Sequence, residues 1–129
     1  MGYNLTEGQF DPPAESAVVD GLSARLGVAL PKDYIDFLKE HNGGEGFIGD
    51  NYIIFFKAEE LADFNREYEA EIYAPGILLF ASNGGGEGYG FDTEDAAMPI
   101  VRIPFIGMDR QSAETIACHL ADLFARLAD

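Results

Sequence analysis

A single cysteine, Cys118, rules out any intrachain disulfide, so the fold must be held by its core, and this sparing use fits a reducing compartment. No stretch approaches the roughly 20 apolar residues that a membrane-crossing helix needs. The opening MGYNLTEGQF has neither the basic segment nor the apolar one of an export signal. A cytoplasmic address is the expectation, with no membrane partner. Cations are scarce too: 8 Lys and Arg stand against 23 Asp and Glu, for a net charge of -15. That surface repels nucleic acid and anionic lipid and attracts basic proteins or cations over about a Debye length. Solubility alone is the plainer reading of the same excess. MGYNLT fits an acylation pattern and NLT a glycosylation acceptor, but the first lacks a polybasic second signal and the second a secretory context. Gly2 can equally be a cloning remnant.

What is present is enough for one domain over residues 1–129: 47% hydrophobic content, at a length that buries about two thirds of the unfolded chain's surface. From Pro13, residues Ala14, Ala17, Val18, Leu22 and Leu26 recur at helical spacing and Gly27 supplies a left-handed stop. A second helix starts after Pro31, carries Tyr34, Ile35, Phe37 and Leu38 on one side, and ends at Asn42 and Gly43. NYIIFF (51–56) and GILLFAS (76–82) read as strands covered on both faces. Between them Leu61, Phe64, Tyr68 and Ile72 mark an acidic amphipathic helix ended by Pro75 and Gly76. GYGFDT and PIVRIPF alternate, with Tyr89 and Phe91, then Val101 and Ile103, as the buried members of one-sided strands. SAETIACHLADLFARLA closes the chain as a helix behind a Ser112 cap, its stripe running through Ala113, Ile116, Ala117, Leu120, Leu123, Phe124 and Leu127. Strands joined by short loops run antiparallel. The expected class is α+β: a mainly antiparallel twisted sheet of about five or six strands, packed by N-terminal helices, a middle acidic helix and a C-terminal helix.

The chemical candidates thin out quickly. GEGFIG (44–49) matches G-x-G-x-x-G, but that motif needs a strand before it and a helix after it, and here the order is reversed. NGGGEG (83–88) has no following Lys-Ser or Lys-Thr, and a phosphate there would meet Glu87, Asp92, Glu94 and Asp95. Those four acids are calcium-type ligands, yet their spacing does not match a calcium-binding loop, and a solvated turn is the better reading. Cys118 and His119, adjacent on the expected final helix, diverge by about 100° and form no dyad. His41 sits where a helix C-terminus favours a cation. No catalytic, cofactor or metal residues emerge. The glycines of FASNGGGEGYGF fit a hairpin between two strands. Gly88, Gly90 and Asp92 then share the face opposite Tyr89 and Phe91, so something must approach that bare backbone closely, a helix of the same domain or a partner.

The run ARLGVALPKDYIDFLKEHNGGEG resembles the opening signature of the SUKH superfamily, the Smi/Knr-type cell-wall regulators and bacterial immunity proteins. Leu30, Pro31, Tyr34, Phe37, Leu38, Asn42, Gly43 and Gly44 carry the likeness. ELADFN, ILLFASNGGGEGYGFD, PIVRIP and LADLFARLA follow in the family's order, so the resemblance covers the chain from about Pro13 onward. It implies an α+β domain without enzymatic activity that binds other proteins, and for a bacterial member an immunity protein that neutralises a toxin, often a nuclease or deaminase. A regulatory scaffold in envelope or signalling assemblies is the alternative, and a small-ligand binder or hydrolase a third. A nuclease carries a basic cleft for phosphates, which an acidic domain can occlude. The expected contact group is Glu45, Asp50, Glu87, Tyr89, Asp92, Glu94 and Asp95, with Tyr89 as an aromatic anchor if exposed.

Overall fold

Every strand pairs with the one before it. The computed structural model describes residues 3–129, so Gly2 of the acylation pattern lies outside the described residues. Seven antiparallel strands run in sequence order across one sheet: β1 (Thr6–Phe10), β2 (Gly44–Ile48), β3 (Asn51–Phe55), β4 (Ile77–Ser82), β5 (Glu87–Asp92), β6 (Ile100–Pro104) and β7 (Glu114–Ala117). Six α-helices accompany them among the described residues: α1 (Ser16–Asp20), α2 (Leu22–Leu26), α3 (Lys32–Glu40), α4 (Leu61–Glu67), α5 (Ala70–Tyr73) and α6 (Leu120–Ala128). The α+β class stands, with more strands than the five or six expected. The strands not foreseen are GEGFI, which forms a hairpin with NYIIF across the two-residue turn Gly49–Asp50, TEGQF, which pairs with GEGFI, and β7 at the far edge. Gly49, at φ 60, occupies the first central position of that turn, where glycine is favoured.

Register assigns the two faces. Phe55 is opposite Ala81, Ala81 opposite Tyr89, and Phe91 opposite Ile100, so these side chains share one face. A bulge between Leu79 and Ala81 turns Phe80 onto that face as well, where it stacks on Phe91 at 4.4 Å. α3 and α6 cover it: Tyr34 lies 5.4 Å from Phe80 and 5.1 Å from Phe91, and Phe124 stacks on Phe55 at 5.7 Å. Core aromatics in such offset and edge arrangements contribute beyond their buried area. The opposite face carries Leu79, Gly88, Gly90, Val101 and Ile103 under the centre of the sheet.

Three helices depart from the expected spans. The first breaks at Gly21 into α1 and α2, while Gly27 closes α2 at φ 71 as anticipated. The middle one breaks at Glu69, whose φ of 55 redirects the chain and leaves Ile72 66% exposed rather than on the buried stripe. The last begins only at Leu120. Residues 114–117 form β7, because Glu114-Thr115 exposed and Ile116-Ala117 buried satisfy a sheet edge, and β6 would otherwise end the sheet with its ladder groups unpaired. Ser112 therefore caps nothing in α6. Asp33 of α3 does so from a distance, accepting from the Leu120 amide at 3.0 Å, while its other oxygen accepts from the Tyr34 amide at 2.8 Å.

β4 is covered on both faces as expected, but the other strands depart from their expected exposure. β5 and β6, expected to be one-sided, are buried on both faces through Tyr89, Phe91, Ile100, Val101 and Ile103. β3, expected to be covered on both faces, buries Ile53 and Phe55 but leaves Tyr52 and Ile54 half-exposed.

The Tyr34 hydroxyl is fully buried without a hydrogen-bond partner, and burial pushes its phenol far above the ordinary tyrosine range. Removing an unsatisfied buried hydroxyl while keeping the ring is expected to stabilise the fold, so Tyr34→Phe should raise the unfolding free energy by about 1 kcal/mol. With a folded pKa above the unfolded one, stability is present below about pH 10 and falls above it by about 1.4 kcal/mol per pH unit. Urea titrations at pH 8 and pH 11 should show a smaller alkaline loss in Tyr34→Phe than in the parent. An equal alkaline loss in the two proteins would show that burial does not raise the Tyr34 phenol.

Candidate functional site

The glycine-rich hairpin uses its own amides. Asn83 Oδ1 accepts from Gly85 N at 2.8 Å and Glu87 N at 3.1 Å, and Ser82 Oγ accepts from Gly84 N at 3.0 Å. Gly84 and Gly86 supply the positive φ values, 72 and 102. With these donors engaged, the loop offers no amide cradle for a phosphate, and it is a turn. The bare face of β5 is covered from within the chain. A Cβ on Gly88 would lie 2.7 Å from the Phe105 ring, and Arg110 grips Asp92 on the same face, so the segment from Phe105 to Arg110 runs along it. Tyr68 of the Leu61 helix's last turn stacks on Phe105 at 4.1 Å. Neither a helix alone nor a partner fills the space; the β6–β7 connection does.

The seven candidate contact residues separate into four places. Glu87 and Asp92 begin and end β5, about 17 Å apart at strand rise. Glu87 faces Arg102 at 3.8 Å, and Arg102 also donates to Glu114 at 2.7 Å. Asp92 takes both of its oxygens to Arg110 Nη2 at 2.8 Å, while Arg110 Nη1 donates to the Pro75 carbonyl at 3.0 Å and Nε lies 3.6 Å from Glu94. Asp92 Oδ1 and Asp95 Oδ1 also accept from the amides of Glu94 and Ala97, which builds the β5–β6 turn. These acids are thus largely spent on the chain's own structure. Glu45 and Asp50 lie elsewhere, exposed on β2 and on the β2–β3 turn; Glu45 accepts from the Tyr52 hydroxyl, and that bond raises the tyrosine's pKa. Tyr89 is 2% exposed, so it cannot serve as an anchor: its alternation places it on the α3 face, under the core. Phe47 and Tyr52, the aromatic neighbours of Glu45, lie outside the expected contact group. The available signal was the Gly-Asp pair between two alternating segments.

Among the described residues, the Cys118–His119 pair stands apart from His41. Cys118 and His119 lie in the link between β7 and α6, not on a helix, and His119 stands 3.9 Å from Asp122 with its side chain 68% exposed. His41 caps α3 and stacks on Phe10 at 4.3 Å. Among the described residues no group of three or more His, Cys, Asp or Glu side chains could hold a metal. Nor is any described helix long and apolar enough to cross a membrane. A groove of about 460 Å³ lies between Leu26, Val28, Ala62, Ile77 and Leu78, with Ile72 on its rim. It is mainly apolar.

One junction ties the helices to the sheet. Asn42, 8% exposed, accepts from the Ala58 amide and donates to Glu59, both at 2.8 Å, and its own amide donates to the Pro12 carbonyl at 3.1 Å. Gly43 and Gly44 follow at φ 83 and 131 and let β1 and the end of β3 close against the chain. N-terminal helices delivered through Asn-Gly-Gly into an antiparallel meander define the class of domain. The chain belongs to the SMI1 / KNR4 family (SUKH-1), whose model matches residues 13–126. It is also similar to the uncharacterized protein YnaB of Bacillus subtilis (strain 168), 32% identical over 83 residues, or 64% of this chain. The matched segment spans 49% of that relative's length.

Proposed function

We propose that this chain is a non-enzymatic, cytoplasmic immunity-type protein that binds a nuclease-like toxin and covers the toxin's basic, nucleic-acid-facing surface. The observation that carries this reading is the distribution of charge. Overall charge is -15, and β1, β2, β3 and the β2–β3 turn carry Glu7, Glu45 and Asp50 with no lysine or arginine. A net negative exterior with a cation-free hairpin steers a basic cleft into contact, at rates up to about 10⁸–10⁹ M⁻¹s⁻¹ at low salt. Family membership supports a domain used for interaction.

The test is binding to the C-terminal domain of any toxin encoded beside this gene, measured by surface plasmon resonance at about 50 mM and about 300 mM salt. Glu45→Lys together with Asp50→Lys is expected to slow association several-fold at the lower salt and to flatten the salt dependence. Glu87 and Asp92, already partnered by Arg102 and Arg110, should matter less per residue. No binding to any neighbouring toxin, or binding indifferent to salt, would overturn the proposal.

A further inference from the structure

We infer that the uncovered face of the β2–β3 hairpin, built by Phe47, Tyr52 and Ile54 beside Glu45, is a docking surface for an arginine-bearing segment of a basic partner protein. The inference rests on the proposed binding function and specifies its contact face. Cross-strand pairing puts Phe47 opposite Tyr52 and Glu45 opposite Ile54, so all four project from one face, the one away from Phe37 and Phe124. The Leu61 helix and the Phe105–Arg110 segment cover that face only further along the sheet, where Asn65 bonds Leu79 and Phe105 lies on Gly88. Over β2 and β3 it is open: Phe47, Tyr52 and Ile54 are half-buried and Glu45 is exposed.

The surface is also rigid. Tyr52 is held by the Phe47 ring at 5.1 Å in an edge-on arrangement, by the Glu45 carboxylate at its hydroxyl, and by the β4–β5 tip, where a Cβ on Gly84 would sit 3.2 Å from the Tyr52 ring. A contact prepared in this way loses little side-chain freedom on binding. The chemistry selects the occupant. Aromatic sheet surfaces that take nucleic acid are lined with cations, and these strands have none, only Glu7, Glu45 and Asp50. An arginine guanidinium satisfies both features at once: it stacks on an aromatic face and forks to a carboxylate, which a lysine ammonium does less well.

The test uses the whole chain and two synthetic peptides of equal charge, hexa-arginine and hexa-lysine, followed by amide and aromatic NMR shifts at low salt. Hexa-arginine is expected to shift Glu45, Phe47, Tyr52 and Ile54 saturably and to bind several-fold tighter than hexa-lysine. Phe47→Leu with Tyr52→Leu should weaken it by about tenfold, with unchanged shifts for α3 and β5 showing an intact fold; Glu45→Gln reads the same surface should the double variant not fold. Shifts falling instead at Asp92–Asp95, or equal binding by the folded variants, would overturn the assignment. The C-terminal domain of a toxin encoded beside this gene separates this inference from the functional reading. A toxin that binds parent and double variant alike refutes the face and leaves the function standing, whereas hexa-arginine mapped to the face with no toxin bound supports the face and refutes the function.

Discussion

Gly44→Ala is expected to lower the unfolding free energy by about 3–5 kcal/mol, from the sum of backbone strain and steric overlap. Against a total of about 5–15 kcal/mol for an ordinary domain, that is enough to leave much of the protein unfolded under mild conditions. At φ 131 any side chain is strained, and the added Cβ would lie 2.5 Å from the Gln9 carbonyl oxygen and 2.6 Å from the Phe10 Cα. Both neighbours are main chain, so relief requires β1 to move away from β2 and to break the pairing of Phe10 with Gly44. Gly43→Ala should behave similarly, with φ 83 and its Cβ 2.7 Å from the Phe55 oxygen. Gly86→Ala separates the two causes. Its φ is 102 but nothing lies within 4 Å of the new methyl, so it should cost only about 1–2 kcal/mol of strain. Urea unfolding followed by circular dichroism gives the three values. If Gly44→Ala fell within about 1 kcal/mol of Gly86→Ala, close packing at the junction would not be the reason for glycine there.

The Asn-Gly-Gly junction was legible because its residue types are demanded by local backbone geometry, and such demands appear in a sequence as fixed letters. The short helix from Lys32 to Glu40 was legible for the same reason: proline before it, a clean apolar stripe and an Asn-Gly stop are all local. β7 was not. Ala113, Ile116 and Ala117 satisfy a helical stripe as well as a strand edge, and only the need of β6 for a partner, a contact between segments distant in sequence, decides between them. The break at Glu69 was hidden in the same way, since a positive φ at a glutamate has no signature of its own. At the candidate site, the acids could be counted but their partners could not. Arg102 and Arg110 reach Glu87 and Asp92 across 15 and 18 positions of chain, and neutralise residues that composition alone marks as free. The open face went unseen because NYIIFF looks equally apolar on both sides, and which side a helix covers is decided by tertiary packing. Glu45 was singled out for its charge; its aromatic setting comes from the register.

Asn65→Ala is expected to cost about 3 kcal/mol, although the residue is a polar side chain on a surface helix, because each buried main-chain group left unpaired costs about 1–3 kcal/mol. β3 pairs with β4 through Ile54 with Ser82 and Phe55 with Ala81, the Phe56 amide donates to the Phe80 carbonyl at 3.0 Å, and the two segments then diverge. The Leu79 amide and carbonyl on that side would have no ladder partner, and Leu79 is 0% exposed. Asn65 supplies both: Oδ1 accepts from Leu79 N at 2.8 Å, Nδ2 donates to Leu79 O at 2.9 Å, and Nδ2 also donates to Leu61 O at 2.8 Å. The primary amide imitates one residue of a neighbouring strand, with a donor and an acceptor side by side, and so locks α4 to the sheet. Asn65→Asp tests that account through its sign. The carboxylate still accepts from Leu79 N but turns a lone pair toward two carbonyls, so its pKa in the folded state should rise above the unfolded value. The protonated acid can donate one of the lost bonds, and a raised pKa gives stability that is present at low pH and lost as pH climbs through the folded value. Asn65→Asp should therefore be nearly as unstable as Asn65→Ala at pH 7 and recover part of the difference near pH 4.5, while the gap between Asn65→Ala and the parent stays constant. Hydrogen exchange should show the Leu79 amide losing protection in Asn65→Ala and keeping more of it in Asn65→Asp, whose carboxylate still accepts from it. An Asn65→Asp protein as stable as the parent at pH 7, or one that weakens further than Asn65→Ala on acidification, would mean that the carbonyls of Leu61 and Leu79 do not depend on this donor.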